Sequence, residues 1–510
     1  MVWIPITTGI KYGARNLMAN VLGPRKVLLL EFNEITRKII DPLMAQGKMP
    51  NFARLLNEGA SAAPESVDLP PHLDPWVTWV TVHTGVDRSV HGATVLEQDS
   101  LTIKAKRTWN YAEEAGKSIG VFGSISAYPP RPVPGFLVPG PFAPSSDTFP
   151  PYLSPAQDLN RKYTQVHGKA AKEDSPLKMA KMGLDLFKLG LSPATCATIA
   201  AQLVRERVDP SVRWKRVSLQ PLVNYDFFQS LYRAYQPDFA TWHTNHAAHY
   251  MHHYWRSYDD TAFIMKATEK EKAETGGAIE FGYTLCDQLL GRFLKLVGDD
   301  TILAVATSMG QQPYVAEMFP DGRVVVRMTD PRRILDLVGA KGTTDLVPTM
   351  VPQWNVRIAD ATERARVIDV FRRCRVTGVE RPNAFYITET GDIITFQPMG
   401  IGKHSGEIRY FFPEDAVTAD PKGYLLEELF ERDTPSKQGM HHPTGLFLLH
   451  GKGIHPGTEI KGTTNLDIAP TLLSLLGIPV PSVMKGRVMS EAWGEAPAPR
   501  AADRLDVNLS

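Results

Sequence analysis

Five of the fourteen histidines fall within one stretch, His243-Thr-Asn-His-Ala-Ala-His-Tyr-Met-His-His253. On a helix, Asn245 and His249 are four residues apart and share a face, as do His249 and His253. Neutral imidazoles on one helical face suit a zinc-like divalent ion. The same pattern also describes an amphipathic helix whose histidines bond to backbone or solvent. A second pair, His441-His442-Pro-Thr-Gly, lies far away and reads by itself as a loop. Glu31 follows the apolar run Lys26-Val-Leu-Leu-Leu30, and a carboxylate there is costly to bury unless a partner or cation compensates it. A salt bridge or helix amides would satisfy it equally. Asp74, before Pro-Trp, is either a turn or cap residue or a second acid for chemistry.

The elements that must position these groups alternate between strand and helix. Lys26 to Leu30 reads as a buried parallel strand that delivers Glu31-Phe-Asn-Glu at its carboxyl end, where open α/β sheets place their sites. Met49 to Gly59 has helical spacing, with Pro50 near its start and Gly59 after its end. Trp76 to Gly85 alternates threonines with bulky apolar residues, and periodicity does not decide helix from strand. Trp109 to Gly116 predicts a helix and Ser118 to Phe122 a strand, while Pro129 to Pro155 predicts a long loop. Helical order at Met179 to Leu191 and Ala194 to Arg207 predicts a helical insertion or cap over 154–223. Phe239 to His243 is a candidate strand, Ala247 to Trp255 and Ala278 to Val297 are helices, and Thr301 to Ala306 is an apolar strand. A second, α+β insertion is expected over 314–437, with a helix near Ala361 to Arg373 and strands near Ala384 to Phe396. The core then occupies 26–153, 224–313 and 438–493, between an extension over 1–25 and a tail from Gly494 over 494–510. The expected fold is a three-layer α/β/α sandwich around a mostly parallel sheet with two insertions.

Composition excludes several classes. The 510 residues are 43% hydrophobic and 22% charged, enough apolar material for a large core. The 56 basic and 55 acidic side chains give a net charge of +1, with no global pull toward nucleic acid or anionic lipid. Arg213-Trp-Lys-Arg216 is a short basic run that reads as a solvated helix face. Cys196, Cys286 and Cys374 lack metal-finger spacing and fit a reducing compartment. Met1 to Pro24 lacks the apolar stretch of a secretory signal, and no run approaches a membrane span, so a cytoplasmic protein is expected.

Several blocks together resemble the alkaline phosphatase superfamily, in particular its type I phosphodiesterase/nucleotide pyrophosphatase branch. They are Val27-Leu-Leu-Leu-Glu31, Met49-Pro-Asn-Phe-Ala-Arg-Leu-Leu-Asn-Glu-Gly59, Thr84-Gly with His91-Gly, and Trp109 to Gly123 with Ala-Tyr-Pro-Pro130 and Gly135-Phe-Leu-Val-Pro-Gly140. Asp467-Ile-Ala-Pro-Thr-Leu-Leu-Ser-Leu-Leu-Gly-Ile-Pro-Val-Pro481, with Met484-Lys-Gly-Arg487, resembles the closing strand and helix. The resemblance implies an alkaline-phosphatase-like fold and two divalent metals that activate a Thr or Ser nucleophile and clamp the phosphoryl group.

Residue by residue, this chain departs from that pattern. The first aspartate falls on Glu31, and the nucleophile position on Pro75, beside Asp74 and three residues before Thr78. The Asp-x-x-x-His pair falls on Asn245 and His249, the Ser-Asp-His-Gly block on Thr307-Ser-Met-Gly310, and the last histidine on His441. One metal position would keep Asn245, His249 and His441, while the other keeps Glu31 with weak neighbours and is expected to be empty. Two readings follow. A divergent phosphoesterase would use one zinc-like metal at Asn245, His249 and His441, with Glu31 or Asp74 as base or further ligand and a small-molecule phosphoester as substrate. Thr78, Ser308, Gln311 and Gln312 are its candidate substrate-binding residues. A non-catalytic descendant would instead keep the pocket for a phosphorylated or glycan-like ligand.

Overall fold

The computed structural model describes residues 23–93, 100–165, 183, 185–316, 323–348, 353–401, 404–416, 420–432 and 436–498. The extension before 23, residues 179–182 and 184 of the helix expected over Met179 to Leu191, and the tail from 499 lie outside the described residues.

An eight-stranded sheet organises the chain. Its order is Thr458–Ile460, Ala60–Ala62, Phe447–His450, Thr301–Ala306, Lys26–Phe32, Phe239–Thr244, Ile119–Phe122 and Gly135–Val138. Phe447–His450 runs antiparallel to both neighbours, and every other pairing is parallel. Such strands must be apolar on both faces, because helices cover both. The first strand shows this. Leu28, Leu30 and Phe32 enter one apolar cluster with helices Pro50–Glu58, Leu219–Tyr235, His246–Tyr258 and Ala278–Leu296. Val27 and Leu29 enter the opposite cluster with helices Pro75–Thr84, Thr108–Glu114 and Ile468–Leu475. The expected three-layer α/β/α arrangement is therefore the one adopted.

Trp76 to Gly85, ambiguous by period, is helical for a local reason and a tertiary one. Asp74 caps the helix, its side chain accepting from the Trp76 amide, Pro75 occupies the first turn, and Gly85 ends it in the left-handed region at φ 65°. All ten residues of the helix are buried, so no polar face marks a helical period. Pro129 to Pro155 differs from the expected long loop. Gly135–Val138 inside it forms the outermost strand, paired in parallel with Ile119–Phe122. Four residues flanked by prolines are too few to show a strand period.

Residues 326–430 carry their own apolar cluster, in which Val367 and Phe371 of helix Ala361–Arg373 meet Val356, Ile394 and Phe396. A four-stranded antiparallel sheet, ordered Phe385–Thr390, Ile393–Pro398, Trp354–Ile358 and Thr343–Pro348, forms its frame. The 185–235 segment instead packs on the main core through Leu186, Leu189, Leu191 and Val223.

Gly59, between helix Pro50–Glu58 and strand Ala60–Ala62, tests how tightly helix and sheet are joined. A Cβ there would overlap the Leu449 carbonyl oxygen and stand 2.7 Å from that of Leu55. Neither atom belongs to a flexible side chain. Gly59→Ala is expected to destabilise the protein by about 1–3 kcal/mol, the usual cost of overpacking, read as a lower urea-unfolding midpoint.

Candidate metal centre and active site

Three neighbouring parallel strands end together. Glu31 is in register with His243 on one side and Ala306 on the other, so Asn33-Glu34, Thr244-Asn245 and Thr307-Ser308 emerge at the same edge. A two-stranded ribbon then crosses this edge. Gly310–Pro313 pairs with Gly439–His442, setting Gln311 opposite His441. The loop before helix Pro75–Thr84 approaches from the other layer and contributes Leu73 and Asp74.

Glu34, just past the first strand, is the centre of the arrangement. It is fully buried, and its backbone sits in the left-handed region at φ 62°, uncommon for a residue with a side chain. Asn33 Nδ2 donates to Oε1 at 2.8 Å, and Gln311 Nε2 donates to Oε2. His252 Nε2 lies 3.3 Å and His441 Nε2 3.7 Å from Oε2. Glu34, His252 and His441 form a group with metal-ligand spacing, their ligand atoms all within 4.8 Å of one another.

Backbone carbonyls decide which way these imidazoles face. His441 Nδ1 donates to the Leu73 carbonyl at 2.7 Å, and His252 Nδ1 to that of Gly439 at 2.9 Å. A carbonyl only accepts, so both Nδ1 atoms carry hydrogen and both Nε2 atoms are turned toward the same carboxylate oxygen. In neutral rings those Nε2 atoms are lone pairs facing an anion, which requires a proton or a cation between them. Burial, reinforced by Lys437 and His252 against the pull of Glu34, lowers His441 to about 4 and so disfavours the proton. Burial pushes Glu34 upward, but His441, His252 and the Gln311 bond outweigh it and hold the carboxyl at about 2. One carboxylate and two carbonyl-anchored imidazoles fit one zinc-like ion with a fourth position open, the donor set of catalytic zinc with its outer supports.

Asp74 stands beside this group. Its Oδ1 accepts from the Trp76 amide at 3.0 Å. Burial and the charge of Glu34 raise it to about 6, against the Trp76 bond and Lys437. Lys437, held down by its burial, feels both Glu34 and Asp74.

The other expected residues are placed as follows. Glu31 does not join His441. It accepts from Ser124 Oγ at 2.7 Å, meets His243 Nδ1 at 3.0 Å, and has His83 Nε2 at 3.3 Å. Burial raises its carboxyl, yet His83 and His243 bring it to about 2. Asn245 uses its Oδ1 to accept from Asn33 Nδ2 at 2.7 Å. His249 is outside the ligand-spaced group and packs its ring 4.5 Å from that of His253. Thr78 Oγ1 donates to the Asp74 carbonyl at 3.0 Å and accepts from Ser308 Oγ at 2.8 Å, and both hydroxyls are fully buried, which turns them toward each other instead of an open pocket. Gln311 reaches Glu34 and the Ala248 carbonyl, while its Oε1 has no partner. Gln312 reaches the His441 carbonyl at 3.4 Å. The expected set Glu31, Asn245, His249 and His441 thus shares only His441 with the group that assembles.

Among the described residues, Glu34, His252 and His441 are the one group with metal-ligand spacing. Asn33 is committed on both ends, donating to Glu34 and Asn245 and accepting from Trp79 Nε1 at 2.8 Å. Met309 is buried and Ser308 is spent on Thr78. Glu34 and His252 both lie in the stretches that the sequence marks, Glu31-Phe-Asn-Glu34 and His243 to His253. Glu31 is inside the strand and Glu34 beyond its end, where the strand-end rule points.

No family model matches the chain, and no curated protein does. Among solved structures it is similar to human ectonucleotide pyrophosphatase/phosphodiesterase 5, at 11% identity and a TM-score of 0.42, covering 92% of this chain and 100% of that one. The murine counterpart, inactive and in complex with AMP, is 13% identical with a TM-score of 0.38, covering 90% and 96%. A mutant of the alkaline phosphatase PafA is 15% identical with a TM-score of 0.48, covering 92% and 99%. These are likenesses of fold, toward proteins with an alkaline-phosphatase-like architecture.

Asp74 makes a stability test. Its folded pKa of about 6 exceeds the ordinary value of 3.8, so the folded protein binds the extra proton and stability falls as pH rises from about 4 to 6. Asp74→Asn keeps a good cap and removes the buried charge. In chelator-treated protein it is expected to raise stability above pH 6 by on the order of 1 kcal/mol, after discounting partial exposure, with no gain below pH 4. Thermal unfolding across that range checks both arms.

Proposed function

We propose that the chain is a divergent phosphoester hydrolase that holds one divalent, zinc-like cation at Glu34, His252 and His441 and acts on a small-molecule phosphoester. The observation that carries the reading is the paired imidazole orientation: two Nδ1–H groups anchored on carbonyls, two Nε2 atoms aimed at one buried carboxylate oxygen. Bound there, the ion supplies Lewis-acid polarisation of a phosphoryl oxygen. Asp74 takes the proton of an attacking water, its carboxylate standing beside Glu34 at the start of helix Pro75–Thr84. Lys437 supplies positive charge toward the phosphoryl group. Water is the nucleophile in this reading, because Pro75 carries no hydroxyl and the Thr78 hydroxyl is bonded to Ser308 and to the Asp74 carbonyl. A cytoplasmic location belongs to the same reading, and the three cysteines are unpaired thiols. Among the described residues no helix is long and apolar enough to cross a membrane.

The Thr78–Ser308 bond also favours a second reading, a non-catalytic protein that keeps the pocket for a phosphorylated or glycan-like ligand. Metal analysis with turnover assays separates the two. Protein purified without chelator is expected to carry one equivalent of divalent metal. Glu34→Gln, His252→Ala and His441→Ala are each expected to lose it, and His249→Ala to keep it. Hydrolysis of aryl phosphate mono- or diesters is expected, with kcat falling about 10²- to 10⁴-fold in Asp74→Asn, the usual weight of a general base. Stoichiometric metal without turnover leaves the binding reading in force, and sub-stoichiometric metal defeats the metal centre altogether.

A further inference from the structure

A cavity of about 270 Å³ opens within the 314–437 unit, outside the Glu34 group. Its lining joins two guanidinium groups, Arg323 and Arg381, with the rings of Tyr314, Tyr386 and Tyr410. Among the described residues no carboxylate pairs with either guanidinium, and Arg323 Nε is fully buried without a hydrogen-bond partner. An unpaired guanidinium nitrogen out of water is costly, and a cation seated that way is stabilised by an anion nearby. The position of Arg323 is built into the backbone. Arg323 N donates to the Lys437 carbonyl at 2.8 Å, and the Arg323 carbonyl accepts from Lys437 N at 2.7 Å. The side chain lies across Gly400, where any Cβ would collide with Nε. Among the described residues the one carboxylate of the lining, Glu380, is exposed and screened by water, so it does not cancel the two cations. Tyr386 is 45% exposed although it is a large ring on the wall of a cavity, which leaves a planar face for stacking. The volume lies just under the range of roughly 300–1,000 Å³ usual for small-molecule sites, room for one ring and its charged substituent.

We propose that this cavity binds a small organic anion carrying one planar ring, its anionic oxygens taken by Arg323 and Arg381 and its ring held by the tyrosines. The site stands apart from the Glu34, His252 and His441 group and does not depend on any reaction there. A calorimetric titration of the full chain, treated with chelator, uses phenylphosphonate, which has no ester bond to hydrolyse. Saturable one-to-one binding is expected, weakened about tenfold or more in Arg323→Gln and in the surface variant Arg381→Gln, as for loss of a charge-assisted bond. Methylphosphonate is expected to bind more weakly, benzyl alcohol not at all, and His441→Ala to leave phenylphosphonate affinity unchanged. Absence of saturation, or an affinity unaltered by Arg381→Gln, overturns the proposal. Equal affinity for methylphosphonate overturns ring recognition. Binding lost in His441→Ala but kept in Arg381→Gln overturns the cavity as the site and leaves the metal-centre reading standing.

Discussion

Two backbone carbonyls impose the constraint on which the site depends. Leu73 and Gly439 each take the Nδ1 hydrogen of a histidine, and neither can do anything but accept. Once those hydrogens are fixed, His441 and His252 must present Nε2 to Glu34, whether or not anything lies between them. An arrangement of lone pairs around a buried anion is repulsive by itself and becomes favourable when a positive charge enters. The left-handed backbone of Glu34 belongs to the same balance, since strain of this kind persists only where surrounding bonds over-determine it. Those bonds come from Asn33 on one oxygen and Gln311 on the other.

The fold makes these contacts possible by bringing distant chain together at one sheet edge. Glu34 follows the first strand and His252 lies midway along helix His246–Tyr258 after the adjacent strand, but His441 arrives only because Gly439–His442 pairs with Gly310–Pro313. The same ribbon carries Gln311 toward Glu34 and leads, through Tyr314 and Lys437, into the 314–437 unit. That unit is therefore more than an appendage hung on the core. The strand leaving it carries the candidate ligand His441, and the separate Arg323–Lys437 bridge carries one arginine of the cavity.

Much of the architecture was legible because long, buried elements leave strong patterns. Thr301 to Ala306 and Ala361 to Arg373 match their observed limits, and Ala278 to Val297 differs by one residue. The site was less legible for a reason specific to helices. His246, His249, His252 and His253 cover several faces of one helix, so spacing alone does not say which face turns inward. Tyr250, Met251 and Trp255 settle it by burying themselves in the core. His246 is drawn inside as well, bonded to Thr244 and the Gly282 carbonyl. The rotation that results aims His252 at the Gly439 carbonyl and leaves His249 against His253. Strand geometry had a similar effect on the acids. Glu31 and Glu34 are three residues apart, yet one lies within the strand among His83, His243 and Ser124 and the other lies beyond its end.

Charges and neutral donors are divided unevenly along this edge. Glu31 already has two imidazoles and a hydroxyl around it, and Trp79 stacks on His83 while crossing His243 edge-on. Inside the strand, the carboxylate of Glu31 is thus matched by ring nitrogens and a hydroxyl of its own. Asn33 closes the gap between the two acids with an amide, which joins Glu34, Asn245 and Trp79 without adding charge. A carboxylate at that position would face the Glu34 and Asn245 oxygens with no hydrogen to give. The amide at 33 therefore serves the whole edge at once: the bond that steadies Glu34 in its strained backbone comes from the same side chain that fixes Asn245 and Trp79.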